Sequence, residues 1–342
     1  MGLGTRIIKI PIFLAFVILL VLAFLLDFEF SETAFAPFIN AGDSEVSEVE
    51  VIASNAPETP DTGTLSVAYE PPVTEPVTEP FEMDNAVADD FITVRMSDSD
   101  IFTGCLLLIN SEHNHEIPED HGFIAIADTK TQSYRVTRDN MLLPDFVISS
   151  LNDMMDAFCE ETGSTGMTIV SAYRDYERQQ EALNDYIALV GYNEALRWAA
   201  LPGHSEHQAG LAVDFGIYSG GALRTFRGAG DYAWILYNSY RYGFILRYPA
   251  DKTDITGTAY EPWHFRYVGE PHAYIIYHNN WCFEEYIELL TEYSFEEPYR
   301  TSYNDEEYEV YYVGGAEIPI PFGCEFDISG NNIDGFIVTV RY

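Results

Sequence analysis

The chain has 342 residues, with 17 Lys and Arg against 55 Asp and Glu, giving a formal net charge of −38. That length admits one large domain or two small ones, with ample material for a core. The charge excludes a nucleic-acid partner, which needs clustered Lys and Arg.

Arg6 and Lys9 precede an apolar run from Ile10 to Leu26, which Asp27 and Glu29 close. At about 1.5 Å per residue, the run is about the shortest helix that crosses a bilayer. Its basic flank orients the N-terminus towards the cytoplasm. Residues 1–9 are therefore expected in the cytoplasm, 10–26 as a single-pass anchor in the cell membrane, and the remainder outside the cytoplasm. The small residues Ala34 to Ala36 suit a cleaved signal peptide. They lie well past the apolar run, behind Asp27, Glu29 and Glu32, which favours an uncleaved anchor. Residues 27–90 contain PETPDTG and EPPVTEPVTEP, with no Lys or Arg between Lys9 and Arg95. Closely spaced prolines among repelling carboxylates describe an extended, solvated tether.

A folded region is expected from residue 91. CLLLIN and GFIAIA read as short buried strands. Over 143–163 the apolar positions Phe146, Val147, Leu151, Met154 and Phe158 recur at helical spacing, with Pro144 in the first turn and Gly163 at the end. MTIVSAY reads as a strand, DYERQQEALNDYIALV as a helix, and a second helix follows with Asn193 as its cap. LAVDF is a strand, DYAWILYNSYRY a helix, and GFILRYP and WHFRYV are strands. The helices PHAYIIYHN and CFEEYIELLTEY complete the region. Without a regular βαβ rhythm, this order predicts an α+β domain over 91–293, with a mainly antiparallel sheet flanked by helices. Residues 294–342, with YEVYYV, CEFDIS, the turn SGNNIDG and GFIVTVRY, are expected to form a small β extension.

The chemistry is concentrated in two stretches. GHSEHQAGLAVDF (203–215) carries an aspartate in an otherwise apolar strand. A buried carboxylate needs a partner. A catalytic zinc takes three protein ligands and leaves a position open. His207 and Asp214 are separated by Gly210, which permits a sharp turn. In LAVDF the side chains alternate, so Asp214 shares a face with small Ala212. His264, in YEPWHFRYVG, supplies a third ligand. Glu261 precedes it, and Pro262 disturbs the pleat so that both can face one cavity. A carboxylate there suits a general base. An ordinary buried His207–Asp214 pair is the simpler alternative.

SEHQAGLAVDF together with EPWHFRYVG resembles the signatures of the VanY-type D-alanyl-D-alanine carboxypeptidases, zinc peptidases of the bacterial cell wall. The elements are Ser205, His207, Gly210, Ala212 and Asp214, then Glu261, Trp263 and His264, and SAYRDYERQQ and GFILRYP extend the likeness over about 140 to 300. The resemblance implies a zinc site in a cleft, with one Zn2+ per chain held by His207, Asp214 and His264. It implies Glu261 as catalytic base and Arg174 as the group holding a substrate carboxylate or oxyanion. Gln179, Ser205, Tyr248 and Trp263 are implied as substrate-binding positions. The implied substrate is a peptidoglycan stem peptide ending in D-Ala. LD-cleavage of tetrapeptide stems by the same site, and an inactive wall-binding module, are the alternatives.

Other features carry simpler readings. His204 is expected to be structural or to support the ligands, EHNHE (112–116) a solvated loop, and His272 and His278 packing residues. The 24 tyrosines are expected mainly in the core. The four cysteines have no CxxC spacing and read as free thiols. GxSxG and SxxK are both missing from the sequence, which disfavours a serine peptidase.

Overall fold

The computed structural model describes residues 91–115 and 122–342. The expected anchor at 10–26 and tether at 27–90 lie outside them. Among the described residues, no helix is long and apolar enough to cross a membrane.

Fourteen strands occur in the described residues: β1 (Phe91–Arg95), β2 (Ile124–Ala125), β3 (Arg135–Val136), β4 (Leu142–Leu143), β5 (Met167–Ser171), β6 (Ala212–Ser219), β7 (Ala222–Thr225), β8 (Phe244–Leu246), β9 (His264–Tyr267), β10 (Tyr299–Tyr303), β11 (Glu306–Val313), β12 (Glu317–Pro321), β13 (Glu325–Gly330) and β14 (Phe336–Arg341). The central sheet runs β3-β5-β6-β9-β8. One edge of β6 serves two partners, with β9 along Ala212–Asp214 and β7 along Gly216–Ser219. Only the β3–β5 pairing is parallel among the described strands, so the sheet is mainly antiparallel.

The helix Asp145–Thr162 covers one face of this sheet. Val147, Ile148, Leu151, Met154, Met155 and Phe158 form its buried stripe. They pack against Ile169 of β5, Val213 and Phe215 of β6, and Phe265 of β9. Each such side chain contributes about 1.5–3 kcal/mol when fully buried. Gly163 ends the helix at φ 70°, a left-handed cap suited to glycine. Phe146, expected in the stripe, is instead 50% exposed and lies 5.6 Å from the Tyr267 ring. Helical spacing places Ile148 and Met155, rather than Phe146, on the inward face.

With Val213 and Phe215 buried under the helix, strand alternation turns Ala212 and Asp214 to the opposite face. This sends a carboxylate away from the apolar core while leaving it in the middle of the sheet.

The C-terminal strands form a sheet in the order β10-β11-β14-β13, while β12 pairs with β1. Both faces of its central pair, β11 and β14, are buried. Val310 and Ile337 join the helices His272–Asn279 and Phe283–Leu290 in one apolar cluster with Leu106, Leu108, Ile245 and Val268. Tyr311, Phe336, Val338 and Val340 pack with Ile318 and Ile320 in another. The strands expected after residue 294 therefore share their core with the preceding helices.

Candidate active site

The register of β6 against β9 sets Asp214 directly opposite His264, and β5 sets Ser171 opposite Asp214 on the other side. His207 comes from the 3-10 turn Glu206–Ala209, which ends at Gly210 with φ 68°. A Cβ at Gly210 would also approach the Phe123 ring to 2.7 Å and Pro144 Cδ to 2.9 Å. Glycine thus meets two demands there, a left-handed backbone and a close approach. The turn carries His207 over the strand end. Asp214 Oδ2 lies 3.1 Å from His207 Nε2, and Asp214 Oδ1 lies 2.9 Å from His264 Nδ1.

Ligand atoms of His207, Asp214 and His264 lie within 4.8 Å of one another, a group of three able to hold a metal ion. Burial, then the Arg174 charge, push the His207 pKa down to about 4, which favours the neutral ring. Its one N–H, on Nδ1, donates to the Ala172 carbonyl at 2.8 Å. Nε2 is then a buried lone pair with no hydrogen-bond partner, although it faces a carboxylate oxygen. Two acceptors held that close call for a cation between or beside them. His264 is placed similarly. Burial opposes its charged form, but hydrogen bonds with Asp214 and Glu206 outweigh that and lift its pKa to about 9. Each of its ring nitrogens faces a carboxylate oxygen, Asp214 Oδ1 at 2.9 Å and Glu206 Oε2 at 3.3 Å. Two imidazole nitrogens and one carboxylate fit a zinc donor set.

Glu261 is buried, and its carboxylate lies 3.9 Å from His264 Nδ1. It precedes β9 in a turn closed by the His264 amide donating to the Glu261 carbonyl at 3.1 Å. Pro262 sits inside that turn, where its fixed φ and missing N–H are tolerated. The turn brings positions 261 and 264 to one side. Burial raises the Glu261 carboxyl to about 8, with the Asp214 charge adding to the effect and His264 and Arg174 opposing it. A cation at the three-ligand group would lower it again.

Arg174 follows β5. Its amide donates to the His207 carbonyl at 3.2 Å. Nη1 donates to Gln179 Oε1 at 3.0 Å, and Nη2 approaches Asp214 Oδ2 at 3.5 Å. Buried Nε has no hydrogen-bond partner among the described residues. Gln179 is itself fixed by donating to the Ala200 carbonyl at 2.8 Å. A cleft of about 140 Å3 is lined by Arg174, Gln179, Ser205, His207, Tyr248, Glu261 and His264. The Tyr248 ring lies 5.0 Å from that of His264.

Trp263 lies between Glu261 and His264 in the chain, next to the cleft-lining Trp198. Its ring packs against the main core and stacks on Trp198 at 6.5 Å.

Sequence reasoning missed a buried charged layer behind His264. Glu206 Oε2 lies 3.3 Å from His264 Nε2. Glu206 Oε1 accepts from Arg247 Nε at 2.7 Å and Arg266 Nη1 at 2.6 Å. Arg247 also makes a two-pronged pair with Glu284, at 2.8 and 2.6 Å. Burial works to raise the Glu206 pKa, but Arg247 and Arg266 outweigh it and hold the carboxyl well below the usual range. The available signal was an arginine in each of the apolar strands GFILRYP and WHFRYV. Such charges need buried partners, by the same logic that singled out Asp214.

The other described histidines stand apart from the three-ligand group. His204 Nδ1 lies 2.7 Å from the Asn110 carbonyl at the cleft wall. His113 Nδ1 lies 3.0 Å from Asn110 Oδ1, and the His115 amide donates to the Gly203 carbonyl. His272 lies between Tyr286 and Thr339, while His278 packs among Tyr240, Tyr274 and Tyr277. All four cysteines are free thiols.

Known proteins share this architecture. Residues 141–270 match the VanY family model, described as D-alanyl-D-alanine carboxypeptidase. The chain is 36% identical over 252 residues to a D-alanyl-D-alanine carboxypeptidase of Enterococcus faecium, covering 72% of this chain and 78% of that protein. It is 46% identical over 146 residues to a D-alanyl-D-alanine carboxypeptidase of Enterococcus faecalis, covering 40% of this chain and 52% of that protein. A solved structure of the vancomycin resistance D,D-dipeptidase VanXYg, in complex with a D-Ala-D-Ala phosphinate analogue, aligns with TM-score 0.66 at 32% identity. That alignment covers 74% of this chain and 99% of the other. Taken with the cleft, these likenesses define a peptide hydrolase. The chain belongs to the VanY D-alanyl-D-alanine carboxypeptidase family.

Proposed function

We propose that the chain is a zinc-dependent D-alanyl-D-alanine carboxypeptidase that removes the terminal D-Ala from peptidoglycan stem peptides outside the cytoplasm. The observation that carries this is the meeting of His207, Asp214 and His264 beside buried Glu261 in one cleft. One zinc ion per chain, held by those three residues, supplies Lewis acidity towards the scissile carbonyl and towards water.

The chain's own residues perform the remaining steps. Glu261 accepts a proton from the attacking water at its carboxylate and returns it to the leaving amine. Arg174, steadied by Gln179, holds the substrate's terminal carboxylate or the charge developing on the carbonyl oxygen. Ser205 and Tyr248 line the space beside the scissile bond. The apolar run 10–26, with its basic flank, supports a single-pass membrane anchor, and residues 27–90 a tether for the domain at 91–293 with its β extension at 294–342.

The test is incubation of the purified, zinc-loaded full chain with a stem pentapeptide ending in D-Ala-D-Ala and a tetrapeptide ending in one D-Ala. Mass analysis should show loss of a single D-Ala from the pentapeptide. Cleavage of the tetrapeptide alone would replace the reading with LD-cleavage. Binding without turnover of either would replace it with a wall-binding module.

A further inference from the structure

We infer that Glu206 is a positioning residue that fixes which nitrogen of His264 is offered to a metal ion. The inference rests on the reading of His207, Asp214 and His264 as metal ligands. A neutral imidazole carries one N–H, and the nitrogen without it is the ligand. Glu206 Oε2, 3.3 Å from Nε2, accepts an N–H there and leaves the Nδ1 lone pair facing Asp214 and Glu261. The opposite tautomer would turn a lone pair towards Glu206 Oε2, whereas the Nδ1 lone pair, 2.9 Å from Asp214 Oδ1, lies on the side of the three-ligand group, where a metal ion would be shared.

Glu206 is placed so that it cannot turn away. Its side chain is 0% exposed, and its other oxygen is held by Arg247 and Arg266. Those guanidinium groups are anchored in turn. Arg247 pairs with Glu284, and Arg266 donates to the carbonyls of Cys105, Leu107 and Tyr267. Apolar side chains of similar volume often stabilise a fold as well as a buried ionic group of this kind, because taking charges out of water is costly. Two acids and two arginines buried together therefore need a further reason. Orientation of His264 supplies one, and a carboxylate behind a ligating imidazole also raises its basicity.

The arrangement on His207 is complementary. There the backbone carbonyl of Ala172 accepts from Nδ1 and leaves Nε2 for the metal. One histidine is oriented by the main chain and the other by an ionised side chain. Only the second can be altered by substitution.

Two measurements on the full chain test this. In the zinc-loaded wild-type chain, two-bond proton–nitrogen correlation spectra of labelled histidine should show His264 protonated on Nε2 and metal-bound on Nδ1. Metal on Nε2 would overturn the inference. In Glu206→Gln, competition with a chromophoric chelator should show zinc affinity about 10–100-fold weaker. A folded Gln variant with unchanged zinc affinity and unchanged His264 spectra would also overturn it. Because Gln leaves two arginines around one fewer charge, it can fail to fold, and the wild-type spectrum then decides alone. Failure of the wild-type chain to take up zinc would overturn the metal reading and this inference with it.

Discussion

Asp214 and His264 are cross-strand partners on β6 and β9, and their side chains meet at 2.9 Å on the face turned away from the main core. The pair is thus fixed by a hydrogen-bonded ladder rather than by loops. His207 is the ligand delivered by a turn, and its position depends on Gly210. Rigid elements hold a metal site more accurately than loops do.

Asp214→Asn keeps the shape of the site but removes its negative charge. We expect zinc to raise the melting temperature of the wild-type chain and to leave that of the variant nearly unchanged. At a free zinc concentration 100 times the dissociation constant, the gain is about 2.7 kcal/mol. Thermal melts with zinc and with a chelator measure it, and an equal shift in both proteins would remove Asp214 from the ligand set.

For Glu261→Gln, the expected outcome is retained zinc binding with turnover lower by about 10² or more, because an amide cannot accept the water's proton. Zinc content and single-turnover rates on one sample separate the two properties. A rate near wild type would assign the proton transfer to another group.

Arg174→Lys retains a charge but loses the planar fork. Its kcat/KM should fall by about 10²-fold, with zinc content and melting temperature almost unchanged. If Arg174 only pairs with Asp214, the opposite pattern is expected: lower stability and full activity per folded molecule.

Acid sensitivity should run partly through His272. Burial lowers its pKa from 6.5 to about 3, and its ring shares hydrogen bonds with Tyr286 at 2.7 Å and Thr339 at 2.9 Å. The unfolded chain takes up this proton first as pH falls. The contribution is therefore complete above about pH 6.5 and lost progressively towards pH 3, at up to about 1.4 kcal/mol per pH unit. Denaturant midpoints at pH 7 and pH 5 should converge in His272→Gln relative to wild type. An unchanged pH dependence would rule His272 out.

Much of the site was legible because burying a charge leaves a mark in sequence. Asp214 stands out in LAVDF, and Gly210 and Pro262 mark the backbone turns beside the two ligand segments. Glu206 left no such mark. Flanked by Ser205 and His207, it reads as a solvated turn residue, and its arginine partners lie 41 and 60 positions later. In the fold, the helix Asp145–Thr162 was readable from its period, whereas Phe146 shows that a stripe's edge is set by what packs against it. The strands after residue 294 were visible singly. The burial of β11 and β14 on both faces was not, because it depends on Leu106, Leu108 and the pairing of β1 with β12.

That last pairing bears on the order in which the molecule assembles. Arg95 and Glu317 meet across it although 222 positions separate them. Closing so long a loop has a high entropic cost before any contact offsets it, and distant pairings form slowly. The helix Asp145–Thr162 and β5, close in sequence and sharing one core, are suited to form early. The β1–β12 ribbon is expected to close late, because the strand that carries Arg95 pairs across nearly all of the described chain. Substitutions in the ribbon should therefore speed unfolding and leave the folding rate almost unchanged.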